Sequence, residues 1–157
     1  MNKAKNKKNE KGFVILYAVM ISSMLLAISL GVANISLKEI NFGTSAIDTN
    51  NAFFAADTGA ECALFNDKST ESVFVESSSP TITCNGNSIT ANESPALYWS
   101  FIISGLGNSG NACAVVTVDK TDPAITTIIS KGYNVGGDTS CVSTDSNRVE
   151  RQLELNY

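Results

Sequence analysis

From Phe13 to Ala33 the chain reads FVILYAVMISSMLLAISLGVA, 21 positions without a charge or a proline. As an α-helix this run rises about 32 Å, enough for a hydrocarbon core about 30 Å thick. Beyond Ala33 the pattern turns amphipathic with no helix breaker. Ile40, Ile47 and Phe54 recur as apolar positions, and Phe53, Ala56, Ala60 and Leu64 add a stripe at helical spacing. Lys38, Glu39, Asp48, Asp57 and Glu61 take the polar face. One helix from about Phe13 to about Phe65 is therefore predicted, about 80 Å long. Gly31, Gly43 and Gly59 each weaken it by up to ~1 kcal/mol relative to Ala and are expected bending points.

After Asn66 the periodicity falls from helical to alternating. Pro80 to Ala91 (PTITCNGNSITA) reads as a hairpin turning at Asn85-Gly86-Asn87. Tyr98 to Ile103 is a short aromatic strand. Ala112 to Lys120 alternates with Ala114, Val116 and Val118 on one face, and Thr121-Asp122-Pro123-Ala124 turns the chain. Ile125 to Tyr133 returns as its partner. Arg148 to Tyr157 alternates again through Val149, Leu153, Leu155 and Tyr157. The predicted fold class is α+β: a long N-terminal helix packed on a small antiparallel sheet.

Charge orients this arrangement. The first twelve residues, MNKAKNKKNEKG, hold five Lys (Lys3, Lys5, Lys7, Lys8 and Lys11) against one Glu. The remainder holds six basic residues against fourteen acidic ones. The positive-inside rule puts the lysines in the cytoplasm and the body outside, as a single-pass protein of the inner or cytoplasmic membrane. An acidic body repels phosphate backbones, so no nucleic-acid contact is expected of the head. Three readings of the apolar run compete. A secretory signal peptide has a shorter core, although Ala27, Ser29, Gly31 and Ala33 supply small residues near its end. A plain signal anchor needs only the lysines and the run. The third reading rests on the junction KGFVILYAVM.

The four cysteines, Cys62, Cys84, Cys113 and Cys141, all lie beyond the apolar run and form no CxxC pair. Two disulfides in an oxidising compartment are expected rather than a zinc site. Three pairings exist, and local geometry favours Cys62–Cys84 and Cys113–Cys141. There is no His, which removes the commonest general base and neutral metal ligand. Neither GxxxxGK[ST] nor GxSxG nor HExxH occurs. No catalytic residue, cofactor or metal is expected, and the chain does not read as an enzyme. GLGNSG (Gly105 to Gly110) reads as a flexible loop. Asp138 and Asp145 flank GGDTSCVSTD, whose oxygens suit calcium but whose spacing is not that of an EF-hand. Asn92-Glu93-Ser94 has the form of a glycosylation sequon.

At the junction, where Gly12 precedes Phe13 between a basic leader and an apolar helix, the chain resembles the type IV pilin and pseudopilin family. NNAFFAADTGAECALF also resembles the end of the N-terminal helix in PilX-like minor pilins, so the resemblance covers about residues 8–65. It implies cleavage by a prepilin peptidase between Gly12 and Phe13, with N-methylation of Phe13. It implies a leader at 1–12, a transmembrane half-helix at 13–33, an amphipathic half at 34–66 and a β-rich head at 67–157. Partners would be other pilin subunits, met through the N-terminal helix. Major pilins carry Glu at the fifth mature position, and this chain has Tyr17 there. The departure points to a minor or tip subunit of a pilus or secretion fibre. The expected function is structural or assembly work, with adhesion, DNA uptake or secretion as outputs. The alternatives are a bitopic surface-anchored binding protein that enters no fibre and a secreted enzyme released near Ala33.

Overall fold

The computed structural model describes residues 11–136 and 139–157. The expected leader up to position 10, and Asp138, lie outside the described residues. The chain divides into two units between Gly43 and Thr44. A single helix, α1 (Lys11–Lys68), runs through both. It continues three residues past the expected end at Phe65. Among the described residues seven strands follow: β1 (Thr81–Cys84), β2 (Asn87–Thr90), β3 (Asn92–Glu93), β4 (Tyr98–Leu106), β5 (Ala112–Asp119), β6 (Thr127–Tyr133) and β7 (Glu150–Asn156). β1 and β2 form a hairpin of their own, and β3 to β7 form an antiparallel meander in chain order.

Turn chemistry sets these connections. Asn85 and Gly86 both take positive φ, 49° and 75°, as a two-residue hairpin turn requires. Between β5 and β6, Asp119 Oδ1 accepts from the Thr121 amide at 2.9 Å, and Asp122 Oδ1 accepts from the Ala124 amide at 2.9 Å. Pairing of β4 with β5 slips between Ile103 and Leu106. Gly105 there has φ 73°, which fits a bulge at the strand's end. The long β6–β7 connection is held by Asn134. Its Oδ1 accepts from the Val149 amide at 2.7 Å, and its Nδ2 donates to the Asn147 carbonyl at 3.1 Å.

The helix-facing side of the meander is graded in size. Register aligns Trp99, Val118, Ile128 and Leu155 in one row, then Phe101, Val116, Ser130 and Leu153, then Ile103, Ala114, Gly132 and Arg151. Along β6 the inward residues therefore shrink from Ile to Ser to Gly. The helix answers with its own small residues: Ala52, Ala55, Ala56, Ala60 and Ala63 are buried. A Cβ on Gly132 would run into the Ala52 carbonyl oxygen and the Ala56 amide nitrogen. A Cβ on Gly59 would run into Ser130 Oγ and stand 2.7 Å from Val116 Cγ2. Backbone thus meets backbone at the narrow end. At the wide end the space is filled by Phe74, whose ring lies 5.7 Å from Trp99 and 6.3 Å from Phe101. Trp99 Nε1 donates to the Ser78 carbonyl at 2.9 Å, so the buried indole loses no hydrogen bond.

This seating corrects the expected apolar stripe. Ala56 and Ala60 face the sheet, but Phe53 and Phe54 are 43% and 62% exposed, and Ile40 and Ile47 are exposed too. Close approach of two backbones selects small residues over greasy ones. Gly59 is accordingly a contact with the sheet, whereas Gly31 and Gly43 have nothing within 4 Å of a Cβ position.

Ser130 is fully buried, and its Oγ has no hydrogen-bond partner among the described residues. An unpaired buried hydroxyl carries a desolvation cost of about 1–3 kcal/mol. Ser130→Ala is therefore expected to leave stability unchanged or raise it by about 1 kcal/mol in urea unfolding. A clear loss would mean that the hydroxyl is bonded.

Candidate functional site

The chemistry-bearing features fall in three places: the apolar part of α1, the end of α1, and the two disulfides. The first unit is the apolar helix. Large side chains from Phe13 (79% exposed) to Val32 (57% exposed) all point outward. The helix is long and apolar enough to cross a membrane, with mean hydropathy 2.4 in its most apolar window and none of that window buried. The three serines between Phe13 and Ala33 are self-satisfied. Ser22, Ser23 and Ser29 donate to the carbonyls of Ala18, Met20 and Leu25, each at 2.8 Å. Hydroxyls bonded within their own helix enter hydrocarbon without an orphaned donor. Composition alone did not reveal this.

Gly12 and Phe13 lie in the first turns of α1. Tyr17 follows Phe13 by four residues, so the two share a helix face, and Tyr17 is 60% exposed. No carboxylate stands at this position.

At the end of α1 sits a buried ionic cluster that sequence reading missed. Asp67 is buried. Lys120, just past β5, pairs with Asp67 Oδ1. Ser72 Oγ donates to the same oxygen at 2.6 Å, and Tyr157 OH donates to Oδ2 at 2.8 Å. Lys120 Nζ in turn donates to Ser72 Oγ at 2.9 Å. Burial works against the Asp67 charge, but hydrogen bonds from Lys120, Ser72 and Tyr157 outweigh it and hold the carboxyl below its ordinary range. Burial first, then the Asp67 carboxylate, pushes the Tyr157 phenol well above its ordinary value. A Ser beside a Lys evokes nucleophilic catalysis. Here the hydroxyl proton is committed to Asp67 and the ammonium to an ion pair, so the cluster is a tie between the helix end, β5 and β7.

The structure joins Cys62 to Cys84 and Cys113 to Cys141, 22 and 28 residues apart. In the loop-entropy account each contributes about 3 kcal/mol, a large share of the ~5–15 kcal/mol of a small domain. Cys62–Cys84 ties α1 to the β1–β2 hairpin. Cys113–Cys141 ties β5 to the long loop, with Gly136 packed against Cys113. An open groove of about 720 Å³ runs beside the first bridge, lined by Leu64, Phe65, Lys68 and both its cysteines.

The remaining candidates stay apart. Asp145 is exposed and spends Oδ1 on the Asn147 amide at 2.8 Å. Among the described residues no group of three or more His, Cys, Asp or Glu is placed to hold a metal. GLGNSG is a loop only in part, which corrects the expectation: Gly105 and Leu106 end β4 at its bulge, and the connection to β5 starts at Gly107, with Gly107 and Gly110 at φ 75° and 69°. Asn92 lies exposed on β3. No family model matches the chain, and neither a curated protein nor a solved structure matches it.

Proposed function

We propose that this chain is a minor type IV pilin-like or pseudopilin subunit, anchored by its helix and acting in the assembly or at the tip of a pilus or secretion fibre. The observation that carries the reading is one uninterrupted helix, Lys11–Lys68, whose N-terminal part exposes an uncharged, mostly apolar surface while its C-terminal turns seat on a five-stranded meander. A plain anchor has no need for the span and the spine of the head to be the same helix. The junction KGFVILYAVM supports the same reading. Small residues such as Ala27 and Gly31 suit close packing with other subunits' helices in the membrane or fibre core. Tyr17 in place of a carboxylate forfeits an ion pair with a neighbour's terminal amine, which fits a subunit with no neighbour above it.

Intact mass of the membrane-extracted protein tests this. The expected product begins at Phe13, carries one added methyl group and has lost residues 1–12. A retained leader would favour the bitopic surface protein. A soluble product beginning beyond Ala33 would overturn membrane retention altogether.

A further inference from the structure

The two disulfides differ in access. Cys113 and Cys141 are 0% and 2% exposed. Gly136 lies so close to Cys113 that a Cβ there would meet its sulfur and stand 2.9 Å from its Cβ. Arg148 Nη2 donates to the Cys141 carbonyl at 2.8 Å and fastens that loop from the other side. Cys84 is also only 2% exposed, but its partner Cys62 is partly buried, and both line the open groove beside Leu64 and Phe65. Phe65 on the groove's rim is 74% exposed. The bridge spans two elements, α1 and a hairpin that, among the described residues, pairs with no strand of the meander. Opening it breaks no ladder hydrogen bond.

Thiol–disulfide exchange requires a thiolate to reach one sulfur, so its rate follows access. We propose that Cys62–Cys84 is an exchange site for a protein dithiol that approaches through this groove, while Cys113–Cys141 is a protected structural bridge. The attacking thiolate forms a bond to Cys62 Sγ as the Cys62–Cys84 bond breaks. Cys84 leaves as a thiolate and takes up a proton. The second thiol of the dithiol then attacks the mixed disulfide and releases Cys62, which is protonated in turn. The partner is oxidised to its own disulfide, and the bridge gains two electrons and two protons. The hairpin is then held by the packing of Ile82, Ile89 and Ala91. The reverse sequence makes the bridge. Neither direction depends on processing at Gly12.

The test uses the full oxidised chain in detergent, without denaturant. It is exposed in parallel to dithiothreitol and to a thioredoxin-type protein with a Cys-x-x-Cys pair. Free thiols are trapped by alkylation at timed intervals and located by peptide mass. Cys62 and Cys84 are expected to be trapped at least about tenfold faster than Cys113 and Cys141 with both reductants. Phe65→Glu places a charge on the exposed rim and is expected to slow the protein dithiol severalfold while leaving dithiothreitol unchanged. Equal rates for the two bridges, or earlier opening of Cys113–Cys141, would overturn the proposal. So would, in a second series repeated in graded urea, a Cys62–Cys84 rate that climbs in step with global unfolding. An unchanged protein-dithiol rate in Phe65→Glu would overturn the groove as the route of approach.

Discussion

Gly132→Ala is expected to cost the head about 3 kcal/mol or more, read as a lowered urea midpoint of the oxidised protein. The added methyl runs into the Ala52 carbonyl oxygen and the Ala56 amide nitrogen, and it stands 2.9 Å from the Ala55 carbonyl carbon. These are helix backbone atoms with no rotamer to change. Either α1 lifts from the sheet and opens gaps along Ala55, Ala56 and Gly59, or β6 bows away and strains its pairing with β5 and β7. Both responses lose packing over several residues. Gly43→Ala is the counter-case: nothing lies within 4 Å of its Cβ position, and it sits inside the helix. That variant is expected to keep its stability or gain up to ~1 kcal/mol of helix propensity. If Gly132→Ala behaved like Gly43→Ala, the helix would not rest on the sheet through its backbone.

Lys120→Met is expected to cost about 3 kcal/mol at pH 7, because it strands a buried carboxylate. The Asp67 side chain is only 5% exposed, and the Lys120 ammonium is its ion-pair partner. Ser72 and Tyr157 still donate to it in the variant, but both are neutral. The pH dependence follows from the direction of the shift. In the parent chain burial is outweighed, and the Asp67 carboxyl lies below its ordinary value. Its contribution is therefore present above about pH 4 and is lost as pH falls through the folded-state pKa. Without Lys120, burial dominates and the folded-state pKa rises. The variant's deficit should then shrink as the pH falls from 7 towards 4, where the carboxyl protonates in place. Replacing Asp67 by Asn in the same chain should recover most of the loss at pH 7. Urea unfolding at both pH values measures this. A deficit equal at pH 7 and pH 4, unrelieved by Asp67→Asn, would assign the effect to the lost lysine stem instead.

Some of this architecture is readable from local chemistry. Asn85-Gly86 and Thr121 to Ala124 are turns because their residue types favour those backbone angles or cap their own amides. Ala114, Val116 and Val118 alternate and are buried together. The apolar run from Phe13 to Ala33, long enough to cross a membrane, declares itself by length and lack of charge. The helix face against the sheet is not readable in the same way. Hydrophobic periodicity weights Phe53 and Leu64 above Ala52 and Gly59, yet the partner's shape decides, and that partner is Gly132, more than seventy positions away. Gly59 read locally is only a weak helix residue; its role appears when Ser130 and Val116 are set against it. The Asp67 cluster was hidden for the same reason, since its Tyr157 bond joins residues 90 apart. β3 is two residues long and leaves no pattern to detect. The difference between the groove disulfide and the enclosed Cys113–Cys141 bridge depends equally on tertiary placement, because spacing gives a pairing but not the solvent access of either sulfur.

The graded inner face also governs how the head comes apart. A rod seated on bulky side chains slips by small rotamer hops, one contact at a time. Here the bearing is skeletal, glycine in the sheet against alanine backbone in the rod, and so has no soft layer in which to slide or swivel. Partial disengagement at that end exposes almost no grease and gains little flexibility, so it is a poor resting state. The terminal turns of the rod and the strands beneath them thus release as one cooperative block.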